Sequence, residues 1–195
     1  QRRTTSANGT GAPPSASRTG AIRCSRICSA LRTAAPHKSV LTMVVGGVLM
    51  AARVLTGSVR TLKTEIVQDC GYSLNPPLDV GQVEGAFLMG VGYYMLEELI
   101  WSADGRMYTT NLSAYKLPSH DDAPENWRVH LLKDSPSVKG LYHSKGIGES
   151  NLQLGMSVYL ATKDAIASAR ADEGQHGPFF LEMPATDDRV RAACP

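Results

Sequence analysis

One carboxylate stands where a general base would be useful. In Ser144-Lys145-Gly146-Ile147-Gly148-Glu149-Ser150, Glu149 lies in a turn punctuated by Gly146 and Gly148. The apolar run Asn151-Leu152-Gln153-Leu154-Gly155-Met156-Ser157-Val158 follows at once. Glycines let a backbone come close to a bulky ligand, and a carboxylate at a strand-to-helix turn can take a proton from a bound reactant. A helix N-terminus just after Glu149 would favour its ionised form. The competing use of Glu149 is to cap that helix. Lys145 and the backbone of residues 146–148, Gly148 included, can hold anionic or polar groups. The alternative for Lys145 is an ordinary surface lysine.

A second group of polar and glycine residues lies upstream, in Asp79-Val80-Gly81-Gln82-Val83-Glu84-Gly85-Ala86-Phe87, followed by Gly90-Val91-Gly92 and Leu96-Glu97-Glu98. Gln82 offers two donors and an acceptor, suited to the edge of a heterocycle or to a metal-bound oxygen. Its alternative is the capping-box partner of Asp79, and both roles cannot be filled at once. Glu84, Glu97 and Glu98 read as structural. Between the two groups stands Tyr115-Lys116-Leu117-Pro118.

In this order and at these distances the three blocks resemble the C-terminal part of the molybdenum-binding region of the xanthine dehydrogenase and aldehyde oxidase family of molybdenum hydroxylases. The resemblance runs from about Leu55 to about Cys194. Its most specific parts are the G-Q-x-E-G-A-F and S-K-x-x-G-E blocks. The resemblance implies that Glu149 is the catalytic base beside molybdenum and that Gln82 approaches the pterin of the molybdenum cofactor, with Lys145 and Gly148 as further cofactor-binding residues. A metal ion acidifies the oxygen it holds, so a nearby carboxylate suffices as base. The metal is held mainly through the pterin, so no protein ligand to it is expected. The resemblance also implies oxidation of aldehydes or N-heterocycles such as purines, with water as oxygen source, a cytoplasmic location with a peroxisomal alternative, and a homodimer at full length.

Two departures from the family pattern stand out. Ser150 follows Glu149 where xanthine dehydrogenases usually have proline, and Gly146 follows Lys145; both tilt the motif toward aldehyde oxidases. The [2Fe-2S] clusters, the FAD domain and the upstream molybdenum region of the family have no counterpart motif in this sequence. The chain therefore reads as a C-terminal fragment that supplies Glu149 but is inactive alone. The alternative is an inactive stand-alone remnant acting as a binding or interaction module.

The elements that would position these residues follow from local patterns. Residues 61–69 alternate like a strand with one wet face. Asn75-Pro76-Pro77 reads as loop. A first helix is expected over about 79–98 with Asp79 as N-cap and apolar residues near 3.6 spacing. Its glycines, each costing about 1 kcal/mol against alanine, call for close packing against a neighbour or ligand. After the Asp104-Gly105 turn, strands are expected over 106–115 and 127–132, with a short one over 141–143 leading into the Ser144 loop. A second helix is expected over about 152–171. Strands and helices without regular βαβ alternation indicate an α+β fold.

Composition divides the chain. No Asp or Glu precedes Glu65, while ten Arg and Lys do; from Glu65 on, 18 acidic residues face 10 basic ones, a net of −8. The first 38 residues are acid-free and rich in Ser, Thr, Ala, Gly, Pro and Arg, a composition that cannot bury enough apolar surface to order itself. They resemble either an organellar transit peptide or a wrongly joined segment, and the first residue is Gln, as in a fragment or processed product. Residues 39–52 are apolar but too few for a membrane span, which needs about twenty, and read as a buried strand or short helix. The expected division is 1–53, a basic irregular segment, and 54–195, the cofactor-binding part. Cys24, Cys28, Cys70 and Cys194 form no disulfide framework in a chain of 195 residues. The five histidines are dispersed, with no metal-ligand spacing. Phosphate-loop and dinucleotide motifs are absent, and basic residues do not cluster with aromatics in the later part, so nucleic-acid binding has no support.

Overall fold

The computed structural model describes the backbone of residues 21–24 and 44–195, and the side chains from residue 48 on. The readings made for residues 1–20 and 25–43 lie outside the described residues. Four strands form one sheet in the order β1 (Ala21–Cys24), β2 (Val44–Arg53), β3 (Val59–Gln68), β4 (Asn126–Leu131). The first two pairings are antiparallel, and β3 to β4 is parallel. Parallel neighbours need a long crossover. Here it carries α1 (Pro76–Met95). Two more helices follow, α2 (Met156–Asp172) and α3 (Asp187–Ala193). This is the expected α+β architecture. No helix among the described residues is long and apolar enough to cross a membrane.

The sheet runs across position 53/54: the turn at residues 54–58 simply joins β2 to β3. Lys63 pairs with Leu49 and Thr61 with Met50, so Leu62 is an extra residue in β3. This bulge shifts the alternation, and Thr61, Thr64, Ile66 and Gln68 all face inward. Ile66, together with Val48, Met50 and Ala52 of β2, joins the core formed with Val83, Phe87 and Val91 of α1 and Val158, Ala165 and Ile166 of α2. The ring of Phe87 packs edge-on against Trp127 of β4, 5.5 Å between centroids.

Several expected boundaries move. Helix α1 starts three residues earlier than expected, because Pro76 and Pro77 occupy its first turn. There the missing N–H would have no helical partner anyway, and the fixed φ suits a helix. Its N-cap is Asn75, whose side chain accepts from the Leu78 N–H, and not Asp79, which accepts from the Ser73 hydroxyl at 2.5 Å. The Asp79–Gln82 capping box is therefore not formed. The helix ends at Met95, where both Leu96 and Glu97 N–H groups turn back to the Gly92 carbonyl. No strand forms over 106–115: a single bridge joins Trp101 to Met107, and the chain then turns at Asn111, whose side chain accepts from Ser113 and Ala114 N–H groups. Residues 141–143 make a 3-10 turn instead of a strand, because Tyr142 and His143 both take left-handed backbone angles. The second helix splits into a 3-10 turn, Leu152–Gly155, and α2 proper.

Two glycines fix how α1 meets that 3-10 turn. A Cβ at Gly90 would lie 1.9 Å from the Leu152 carbonyl oxygen, and one at Gly155 would lie 2.3 Å from the carbonyl carbon of Gly90. The backbones touch, and only glycine at both positions permits it. The contact draws the segment just after Glu149 against the helix that carries Gln82.

Candidate active site

The residue that begins the site is Asp69, directly after β3. Its side chain is 9% exposed. One carboxylate oxygen accepts from the Gly71 N–H at 3.0 Å. The other accepts from the Ser135 hydroxyl at 3.2 Å and from Lys145 Nζ at 2.5 Å. Lys145 is 11% exposed along its side chain, and its backbone N–H donates to the Cys70 carbonyl. Lys145 is thus neither a surface lysine nor an open cation, but the buried counter-ion of Asp69. The reversed backbone at Tyr142 and His143 aims the His143 carbonyl so that it accepts from both the Tyr72 and Ser137 N–H groups. Gly71 has a φ of +68° and pairs with Ser144; a Cβ there would meet the His143 carbonyl oxygen at 2.4 Å. The stretch 69–72 and the stretch 143–145 are in this way sewn together. Cys70 lies in the seam, and burial, followed by the Asp79 carboxylate, pushes its thiol up.

Beyond the seam the chain comes into the open. Ile147 is buried and pins the loop, while Gly146, Gly148 and Glu149 are exposed. Asn151, fully buried, donates from its side-chain nitrogen to the Ile147 carbonyl at 3.2 Å; its oxygen has no partner among the described residues. The Glu149 carbonyl accepts from the Leu152 N–H and so opens the 3-10 turn. Its carboxylate makes no hydrogen bond or ion pair among the described residues, and α2 begins seven residues later. A helix dipole acts only within the first turn, so neither capping nor the dipole of α2 accounts for this side chain.

The structure brings Gln82 to this loop. Gln82 is exposed on α1, and a Cβ placed on Gly148 would sit 3.9 Å from its Oε1. With Asn75 as the helix cap, the Gln82 amide is free of the capping role. Gly81, Gly85 and Gly146 are exposed as well, and a Cβ at any of them would meet nothing within 4 Å. Gly85 lies three residues past Gln82 and shares its helix face. The result is an open, glycine-paved surface with the Gln82 amide beside it and Glu149 next in the chain after Gly148. Of the four expected site residues, Gln82 and Gly148 meet and Glu149 adjoins them, while Lys145 is turned away to Asp69. The sequence reading missed Asp69 and Asn151; an acid just before Cys70-Gly71 at a strand end was the available signal for the first. A cavity of about 370 Å³ lies elsewhere, near the end of α1, lined among others by Met95, Lys116, Asp122, Asp187 and Asp188, and none of the four residues borders it. Burial first, then Asp188 and Asp122, raise the Asp187 carboxyl there.

A sequence model described as molybdopterin cofactor-binding domain matches residues 5–124. The chain belongs to that family. Within this molybdopterin-binding family, the xanthine dehydrogenase/oxidase of Gallus gallus is 49% identical over 140 residues, 72% of this chain and 10% of that protein. Aldehyde oxidase 1 of Macaca fascicularis is 44% identical over the same length, also 72% and 10%. The chain thus spans about a tenth of the curated relatives it matches. Quinoline 2-oxidoreductase from Pseudomonas putida 86 superposes with a TM-score of 0.68 at 27% identity, covering 79% of this chain and 19% of that one. The aldehyde oxidoreductase of Desulfovibrio gigas, at 21% identity and a TM-score of 0.60, shares the fold over 79% of this chain and 16% of its own. The glycine surface fits the cofactor of the family: it offers backbone open to close approach, and Gln82 supplies both donor and acceptor at its edge.

Proposed function

We propose that this chain is the part of a molybdenum hydroxylase that supplies the catalytic base, Glu149, for oxidation of aldehydes or N-heterocycles such as purines with water as the oxygen source. The observation that carries the reading is the approach of the two signature blocks: Gln82 of α1 stands beside Gly148, and Glu149, whose carboxylate has no partner among the described residues, is next in the chain. In this reading Gln82 hydrogen-bonds the pterin edge, and the Gly148 backbone lies along it. Lys145 contributes by holding the loop. The molybdenum cofactor, when bound, provides the oxygen to be transferred and accepts two electrons. Glu149 would serve as the proton acceptor, with a carboxylate that nothing else among the described residues engages. The [2Fe-2S] and FAD groups that carry electrons onward belong, in this proposal, to the rest of a longer, homodimeric cytoplasmic enzyme (with a peroxisomal alternative), as do the groups that orient substrate.

Glu149→Gln keeps the shape and hydrogen-bonding reach of the side chain and removes the base. In the full-length enzyme the substitution is expected to lower kcat by about 10²–10⁴-fold, the range general-base catalysis contributes, with molybdenum content unchanged. Turnover within a factor of about two of the parent's would remove Glu149 from the reaction. A native polypeptide of 20.9 kDa that binds no molybdenum would instead favour an inactive remnant serving as an interaction module.

A further inference from the structure

We propose that Asp69 is a positioning residue for the Glu149 carboxylate, acting through its ion pair with Lys145. The loop from Lys145 to Glu149 contains Gly146 and Gly148, so its own backbone preferences do not determine where Glu149 stands. The loop is held on both sides of this stretch. At the far end Asn151 holds the Ile147 carbonyl, and Ile147 is buried. At the near end the Lys145 N–H donates to the Cys70 carbonyl, and an electrostatic hold is added to that bond: Lys145 Nζ lies 2.5 Å from an Asp69 oxygen, with both side chains nearly out of solvent, 11% and 9% exposed. Asp69 is itself fixed by the Gly71 N–H and the Ser135 hydroxyl. Removing one member of such a pair leaves the other buried and uncompensated. The lysine side chain would then leave for water, and the start of the loop would keep only its backbone bond to the Cys70 carbonyl. Among the described residues the Asp69 carboxylate bonds to Gly71, Ser135 and Lys145 and not to Gln82 or Glu149, and of its partners Lys145 is the one on the Glu149 loop.

The inference rests on Glu149 being the base, but its first test does not. Amide hydrogen exchange of the full chain reads the loop directly. Asp69→Asn is expected to speed exchange in residues 144–151 by about tenfold or more while α2 stays within about twofold of the parent. Lys145→Arg, which keeps the charge, should leave the loop protected, and the exchanged pair Asp69→Lys with Lys145→Asp should recover part of the protection. Unchanged loop exchange in Asp69→Asn would overturn the proposal, and so would acceleration spread equally over α1 and α2, which would mark a general stability role. If the swapped pair does not fold, Asp69→Asn against Lys145→Arg decides alone. In the full-length enzyme, Asp69→Asn should lower kcat with KM nearly unchanged, and should add nothing when Glu149 is already glutamine. A normal kcat in Glu149→Gln alone would sink the base assignment and leave the exchange result standing; an Asp69→Asn loss that persists in full on the Glu149→Gln background would sink the positioning role.

Discussion

Gly148 carries two meanings that only space can separate. Its backbone is not in a left-handed conformation, so nothing about the turn requires glycine there; a Cβ would make an ordinary 3.9 Å contact with Gln82 Oε1. What a larger side chain would do is fill the open surface beside that amide. Gly148→Val is therefore expected to leave the melting temperature of the chain within a degree or two of the parent's, on the order of 0.5 kcal/mol as for other surface changes, while sharply reducing molybdenum bound per full-length protein. A full complement of molybdenum retained by the Gly148→Val enzyme would place the pterin elsewhere. Glu149, Gln82 and Gly148 stand out in the sequence as candidates because glycines and a lone carboxylate in a turn are local signals. The role of Lys145 was not, because its partner is 76 positions away. A lysine beside two glycines looks solvent-exposed until β3 delivers Asp69 to it.

At the scale of elements, the crossing of α1 with the 3-10 turn before α2 is set by Gly90 and Gly155. The sequence showed that the helix glycines needed a reason; the structure divides them into two kinds. Gly90 and Gly92 face packed neighbours, while Gly81 and Gly85 face open space. Gly90→Ala would press a methyl group into the Leu152 carbonyl, and overpacking of this sort typically costs about 1–3 kcal/mol. Urea unfolding should show stability falling by that amount, and an unchanged midpoint would mean that the two segments separate readily. Gly85→Ala, by contrast, should stabilise the helix slightly, by up to about 1 kcal/mol. The helices were largely foreseen, since apolar spacing near 3.6 is a strong signal, but their ends were not: Pro76 and Pro77 read as breakers when they were starters. The expected strand over 106–115 failed for a related reason. Its residues have strand propensity, but among the described residues no neighbouring strand pairs with them beyond the one bridge at Met107, and β propensity means little without a partner.

For the molecule as a whole, the surface around the site is unusually apolar for a chain in water. Tyr72, Leu74, Leu78, Val138, Leu141 and Tyr142 are all at least 60% exposed; Tyr72 sits on one of the stretches sewn together near Lys145, and Leu141 and Tyr142 directly precede the other. Such surface is expected where further protein packs, and the chain covers only a tenth of its curated relatives. The 195-residue chain alone is accordingly expected to show no turnover of xanthine or of aromatic aldehydes, even with molybdenum cofactor supplied, in an assay with an artificial electron acceptor. Turnover under those conditions would show that the chain contains a complete reaction centre. The fold class was accessible from the sequence without any of this, because alternation and helical spacing are properties of the chain itself. The apolar rim was not, because exposure depends on what packs where.

The parallel pairing of β3 with β4 also sets a timetable. Gln68 lies beside Leu131, but 63 residues separate them along the chain, and α1 must be laid down between. Contacts between such distant positions form late, since closing a long loop costs entropy before any pairing repays it. Asp69 follows Gln68 immediately, and Lys145 follows β4 by a further stretch of loop. On a ribosome the helix bearing Gln82 emerges before the loop bearing Glu149, so the cofactor surface of the proposed function would begin as half a site, open on the side that Gly148 and Glu149 complete.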